Sequence, residues 1–164
     1  PGLIIDEAEG DVVKPDKISV TFRGKLGGFA IESSIISLGN AGYFTNPLTG
    51  EWQTGPTGVS PLGFFNPAMG IGAMMLSLEG ARLLSDGEGV YTLGGDLPAE
   101  ALAPLLGSTL KDTMVKVELT IDAKASYLLS AKFSGRVTPP DTDDVIRIIT
   151  VSAFNEPVDI KAPP

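Results

Sequence analysis

Between residues 115 and 122 the chain reads VKVELTID, and apolar and polar residues alternate without a break. Val115, Val117, Leu119 and Ile121 fall on one side, and Lys116, Glu118, Thr120 and Asp122 on the other. Successive side chains of a strand point to opposite faces, so this segment is a strand with one wet and one buried face. The pattern recurs. Val20 and Phe22 alternate with Ser19, Thr21 and Arg23, and Leu129, Ala131 and Phe133 oppose Leu128, Ser130 and Lys132. An antiparallel sheet with only one face in the core produces this signature. Whatever else the chain builds must cover the apolar face.

Turn chemistry divides the rest. GKLGG (24–28) predicts a hairpin turn and residues 29–39 the returning strand; residues 40–42 turn again before a short strand at 43–45. NPLTG (46–50) opens with Asn-Pro and closes with Gly, and EWQ returns. DGEG (86–89) separates predicted strands at 81–85 and 90–95, and residues 145–154 form a long last strand bent at 155–157. The count is nine or ten strands. No repeat, linker or second core interrupts them, so the 164 residues are expected to form one domain.

Two helices are predicted. Residues 67–79 carry no charge before Glu79 at their end and contain Gly70, Gly72, Met69, Met74 and Met75. A helix apolar all round is buried all round, and at about 13 residues it is too short for a bilayer, which needs about 20. Residues 96–107 form the second, with Asp96 as cap, Pro98 in the first turn and Gly107 at the end. The expected class is α+β: a curled antiparallel sheet with two helices laid across its hollow side. Two readings of the first helix stay open. It fills the hollow, or it lines a cavity. Interior glycines cost about 1 kcal/mol each relative to Ala, and methionines adapt to guests of variable shape. An empty void of about 500 Å³ would cost on the order of 10 kcal/mol, so such a space would be occupied, wet or collapsed.

Composition excludes several chemistries. The chain has no Cys and no His, which removes thiol nucleophiles, structural zinc and imidazole-based triads. Its net charge of −8 makes nucleic acid a poor partner. Carboxylates alone could serve a hydrolase, but none clusters in an apolar context. No catalytic residue, metal or cofactor is expected. The Pro1 start is that of a processed product, so a targeting segment is expected to lie outside the chain.

Several stretches resemble one family. VIRIITVSAFNEPVDIKAP (145–163) is similar to the closing segment of the LppX/LprG/LprA/LprF lipoproteins, with Ser152, Phe154, Asn155, Pro157, Val158 and Pro163 in place. AEGDVVKPDKISV (8–20), YFTNPLTGEWQ (43–53) and GDLPAEALAPLLG (95–107) resemble further segments in the same order. The resemblance implies a LolA/LolB-like fold, a strongly curved antiparallel half-barrel with the two helices on its concave face, whose cavity holds multi-acyl lipids or glycolipids. It also implies an extracytoplasmic, cell-envelope location, with a signal peptide and anchoring cysteine outside this chain. The family carries an N-terminal helix and first strand ahead of the segment matching Gly2–Val13; that piece is removed or absent here.

The expected function is therefore non-enzymatic lipid binding and transport in the envelope. The alternative is a structural or assembly module with a filled core that binds an envelope protein. Expected ligand-contacting residues are Phe64 and Phe65 on the glycine-rich loop, Ile71, Met74, Met75 and Leu78 on the first helix, and Leu102, Leu105 and Leu106 on the second. On the sheet they are Val117, Leu119, Ala131 and Phe133.

Overall fold

The computed structural model describes residues 3–55, 71–106 and 108–164. They form ten strands: β1 (Leu3–Val13), β2 (Lys17–Leu26), β3 (Phe29–Leu38), β4 (Ala41–Thr45), β5 (Trp52–Gly55), β6 (Glu79–Gly87), β7 (Val90–Pro98), β8 (Met114–Asp122), β9 (Leu128–Ser134) and β10 (Ile146–Thr150). Between them lie helix α1 (Ile71–Leu76), a 3-10 turn (Ala99–Leu102) and helix α2 (Ala103–Leu106). The strands divide into two five-stranded antiparallel sheets, β1-β2-β3-β4-β5 and β10-β9-β8-β7-β6, where the sequence predicts one. In each ladder every strand pairs with its neighbours in sequence. The division falls between β5 and β6. The chain accordingly resolves into two units: one holds β1–β5 and residues 157–164, the other holds β6–β10 and the helices.

In the first unit the β2–β3 hairpin turns on Gly27 and Gly28, with φ of 60° and 90°. Both central residues of such a primed turn need positive φ, which glycine adopts without strain. Register places Val12, Ile18, Val20, Phe22, Ile31 and Ile35 on one face. The other face carries Glu7, Arg23 and Glu32 side by side, with Arg23 Nε donating to Glu32 at 2.6 Å and Nη1 to Glu7 at 3.3 Å. These charges are exposed, so the triplet contributes little stability. The Asn46 side chain accepts from the Leu48 N–H, and its carbonyl accepts from the Gly50 N–H, which closes the β4–β5 turn.

The second unit holds the larger core. Leu97 faces Val115 across the β7–β8 ladder, Gly95 faces Val117, and Leu93 faces Leu119. On the far side of β8, Val117 meets Phe133 and Leu119 meets Ala131. Phe133, Leu97, Val115, Val117, Leu119 and Ala131 are all buried. Ala99 and Leu102 of the 3-10 turn and Val137 of the β9–β10 loop join them. The outer face is polar, with ion pairs Lys116–Asp96 and Lys132–Glu118 at 3.7 and 3.0 Å.

Three local expectations change. The second helix does not start at Asp96: β7 continues through Pro98, because Leu97 is needed opposite Val115 and Asp96 pairs with Lys116. Only the 3-10 turn and α2 remain helical, and Pro98 at the turn's start makes no side-chain cap. The last strand stops at Thr150, because Ala153 and Asn155 take positive φ, a conformation no strand tolerates. Finally, residues 3–13, which the sequence reading did not assign to a strand, form β1.

Candidate functional site

Helix α1 supplies the site's roof. Residues three and four apart share a helical face. Met74 is buried, and Met75 and Leu78 pack against the core, while Leu76 points away and is 90% exposed. The helix ends in two tight turns, Ser77 N–H to Met74 O at 3.0 Å and Leu78 N–H to Met75 O at 3.3 Å. This tightening swings Leu78 down onto β7. There it meets Gly95: a Cβ at that position would lie 2.8 Å from Leu78 Cδ1 and 2.9 Å from the Glu79 carbonyl oxygen. Glycine here permits a close approach of chain to sheet.

Between roof and sheet runs an apolar crevice lined by Met74, Met75, Leu78, Leu97, Val117 and Leu119. It has no volume that admits a water molecule. Ligand pockets run roughly 300–1,000 Å³. The crevice is thus a closed seam in this conformation. None of its six lining residues is ionisable.

The expected contact residues divide clearly. Met74, Leu102, Val117, Leu119, Ala131 and Phe133 meet in one buried cluster, with Met75, Leu78 and Leu106 packed on its margin. Leu105 does not join them: it is 37% exposed, on the outward side of the four-residue α2. Ile71 opens α1, and its side chain lies outside the described set, as do Phe64 and Phe65. Leu97 lines the crevice and was missed, because the residues around it read as a helix start. The alternation Leu93, Gly95, Leu97 carried the signal.

The rim of the core is polar and tightly bonded. Arg147 sits on the core side of β10 opposite Phe133, and its guanidinium donates to Asp141 Oδ1 at 2.7 Å. Asp141 also accepts from the Thr138 hydroxyl and from the backbone N–H groups of Val137 and Thr138. Burial pushes its pKa up, but the Arg147 guanidinium and these donors outweigh burial, and the carboxyl is held well below the usual carboxylate range. The constellation ties the β9–β10 loop in place. Beyond β10, Phe154 stacks on Tyr127 with ring centroids 4.5 Å apart, and Asn155 Nδ2 donates to the Tyr127 hydroxyl at 3.2 Å. Among the described residues no group of three or more acidic, His or Cys side chains is placed to hold a metal, and no helix is long and apolar enough to cross a membrane.

Comparison with known proteins agrees with this architecture. The crystal structure of LprF from Mycobacterium bovis superposes with a TM-score of 0.64 at 15% identity, covering 90% of this chain and 75% of that one. The lipoprotein LppX from Mycobacterium tuberculosis gives a TM-score of 0.53 at 12% identity, covering 88% and 73%. At such identities the likeness is one of fold. No curated protein sequence matches the chain. The model of the LppX_LprAFG lipoproteins matches residues 1–160, nearly the whole length, and the chain belongs to the LppX_LprAFG lipoprotein family.

Proposed function

We propose that the protein binds lipids or glycolipids through their acyl chains and carries them within the cell envelope, without catalysing a reaction. The observation that carries this reading is the methionine-roofed seam: a short, uncharged helix with Met74 and Met75 laid over Leu97, Val117 and Leu119. Methionine's flexible thioether lets such a roof repack around guests of different shape. In this reading the closed crevice is the ligand-free state. Entry of a chain lifts α1 and Leu78 from β7, and each buried CH₂ contributes about 0.8 kcal/mol toward that cost. Residues 1–164 act as one lipid-binding domain. Phe64, Phe65 and Ile71 join Met74, Met75, Leu78, Leu102, Leu106 and the sheet residues in contacting it, and Leu105 joins them when α2 moves. Anchoring to the envelope membrane is through a segment outside this chain. Family membership supports the lipoprotein character, the lack of His and Cys agrees with a carrier, and the seam's chemistry supports the choice of acyl chains.

One observation favours a second reading. The seam holds no space for water, as expected of a filled core in an assembly module that recognises another envelope protein. Native mass spectrometry of the purified chain, with organic extraction, separates the two. Co-purified lipid at near-stoichiometric amount, released by unfolding, is the expected result. A lipid-free protein that also takes up no added lipid refutes the carrier reading.

A further inference from the structure

The first unit carries an apolar end that the core does not use. The last three rungs of β1, β2 and β3 pair Leu3 with Leu26 and Phe29, Ile4 with Lys25 and Ala30, and Ile5 with Gly24 and Ile31. Ile4, Ile5 and Leu26 are about half exposed, and Phe29, beside the Gly27–Gly28 turn, is 78% exposed. Strand direction opens the β4–β5 turn toward the same end, and there Leu48 is 84% exposed.

Charge is arranged to match. The chain has 20 acidic side chains and a net charge of −8, yet these three rungs carry a single charge, Lys25. Carboxylates begin directly below, with exposed Asp6 in the β1 bulge and then Glu7 and Glu32, both engaged by Arg23. The end is thus an apolar cap with one cation, above a polar belt in which Arg23 offsets one of three carboxylates. At about 200 Å² for a large apolar side chain, the five exposed residues present roughly 600 Å². A standard protein interface needs about 800 Å² per partner, and two convex hairpin turns offer no flat surface to complete it. A bilayer imposes no such requirement: side chains enter the boundary between headgroups and acyl chains singly, and a lysine stem snorkels to the phosphates.

We propose that this end of the β1–β5 sheet docks on a lipid bilayer, with Phe29, Leu26 and Leu48 entering the headgroup–acyl boundary and Lys25 meeting lipid phosphate. The docking needs no covalent anchor and no bound cargo. It stands whether or not the seam under α1 carries lipid.

The test is vesicle flotation of the 164-residue chain with phosphatidylcholine vesicles, alone or mixed with phosphatidylglycerol. The unaltered chain is expected to float with both, more strongly with the anionic mixture. The double variant Phe29→Ser/Leu48→Ser should lose roughly tenfold or more in partitioning on both, with an unchanged melting curve, since both side chains lie in solvent. Lys25→Glu should weaken only the anionic case. Trp52, the single tryptophan, pairs with Thr45 at the base of the β4–β5 turn, and spin-labelled lipid should quench its emission. An unaltered chain that stays in the soluble fraction overturns the proposal, and so does a double variant that floats as well as the parent. Sedimentation showing a dimer that the double variant abolishes, without vesicle binding, assigns the end to a second copy and overturns it equally. Co-purified lipid, measured on the same preparations, reports the seam independently.

Discussion

Gly95→Ala adds one methyl group at the point where roof and sheet touch. The new Cβ would stand 2.8 Å from Leu78 Cδ1 and 2.9 Å from both Leu78 Cγ and the Glu79 carbonyl oxygen. Carbon atoms are comfortable at about 3.5–4.0 Å, so Leu78 must retreat by close to an ångström. Leu78 has rotamers with which to do so; the Glu79 carbonyl belongs to the backbone of β6 and moves only with its strand. Overpacking of this kind costs about 1–3 kcal/mol, or roughly 3–10 °C in melting temperature for a chain of this length. Urea unfolding followed by far-ultraviolet circular dichroism measures it. The informative form is a double-mutant cycle with Leu78→Ala. Removing the Leu78 branch relieves the carbon contacts, so the double variant should be less destabilised than the sum of the singles by about 0.5–2 kcal/mol. Simple additivity, or a stabilising Gly95→Ala, would refute the claim that Leu78 seats in the space this glycine leaves.

Two further outcomes check other parts of the structure. Phe133→Ala, at 2% exposure in the core, should cost about 3–5 kcal/mol by urea titration, whereas Leu105→Ala, outside the cluster, should stay within about 0.5 kcal/mol. Asp141→Asn leaves the Arg147 charge on the core side of β10 without its carboxylate, and loss of a charged hydrogen bond in such a part-buried pair costs about 1.5–3 kcal/mol. Because the Asp141 pKa is depressed in the folded chain, its contribution is complete above the ordinary carboxylate value of 3.8 and drains away as pH falls below it. Melting temperatures between pH 7 and pH 3 should therefore fall less steeply in the variant than in the parent, and parallel slopes would contradict the assignment.

The strands around the larger core were legible because their period is unbroken. Val115 to Asp122 and Leu129 to Phe133 alternate as half-buried strands must, and the structure pairs them directly. β1 escaped for a local reason: register shifts between Ile5 and Glu7, so a bulge sets the period out of step, and Gly10 leaves an apolar-side position without a side chain. The false helix start at Asp96 shows capping chemistry overridden by packing. Asp, Pro and Glu in the first turn suit a helix, but Leu97 lies almost wholly buried against Val115, and that burial outweighs the caps. The small residues and methionines near residue 70 located the roof correctly. They did not reveal how closely it is seated, because the match between Leu78 and Gly95 is a tertiary relation between residues on different elements. The division into two sheets was invisible for a similar reason: alternation reports which face is wet, and hairpin turns report neighbours, but neither says which outer strand ends a ladder.

The path of the chain carries a temporal consequence. Residues 157–164 return to the unit that β1–β5 begin, where Ile160 is buried and Asp159 feels the charge of Lys17. A polypeptide emerging N-terminus first, from ribosome or translocon, thus presents five strands of an unfinished module. It completes the enclosed β6–β10 body next, and only afterwards supplies the final piece of what it started. Of the two units, the one whose strands come first along the chain is therefore the one completed last.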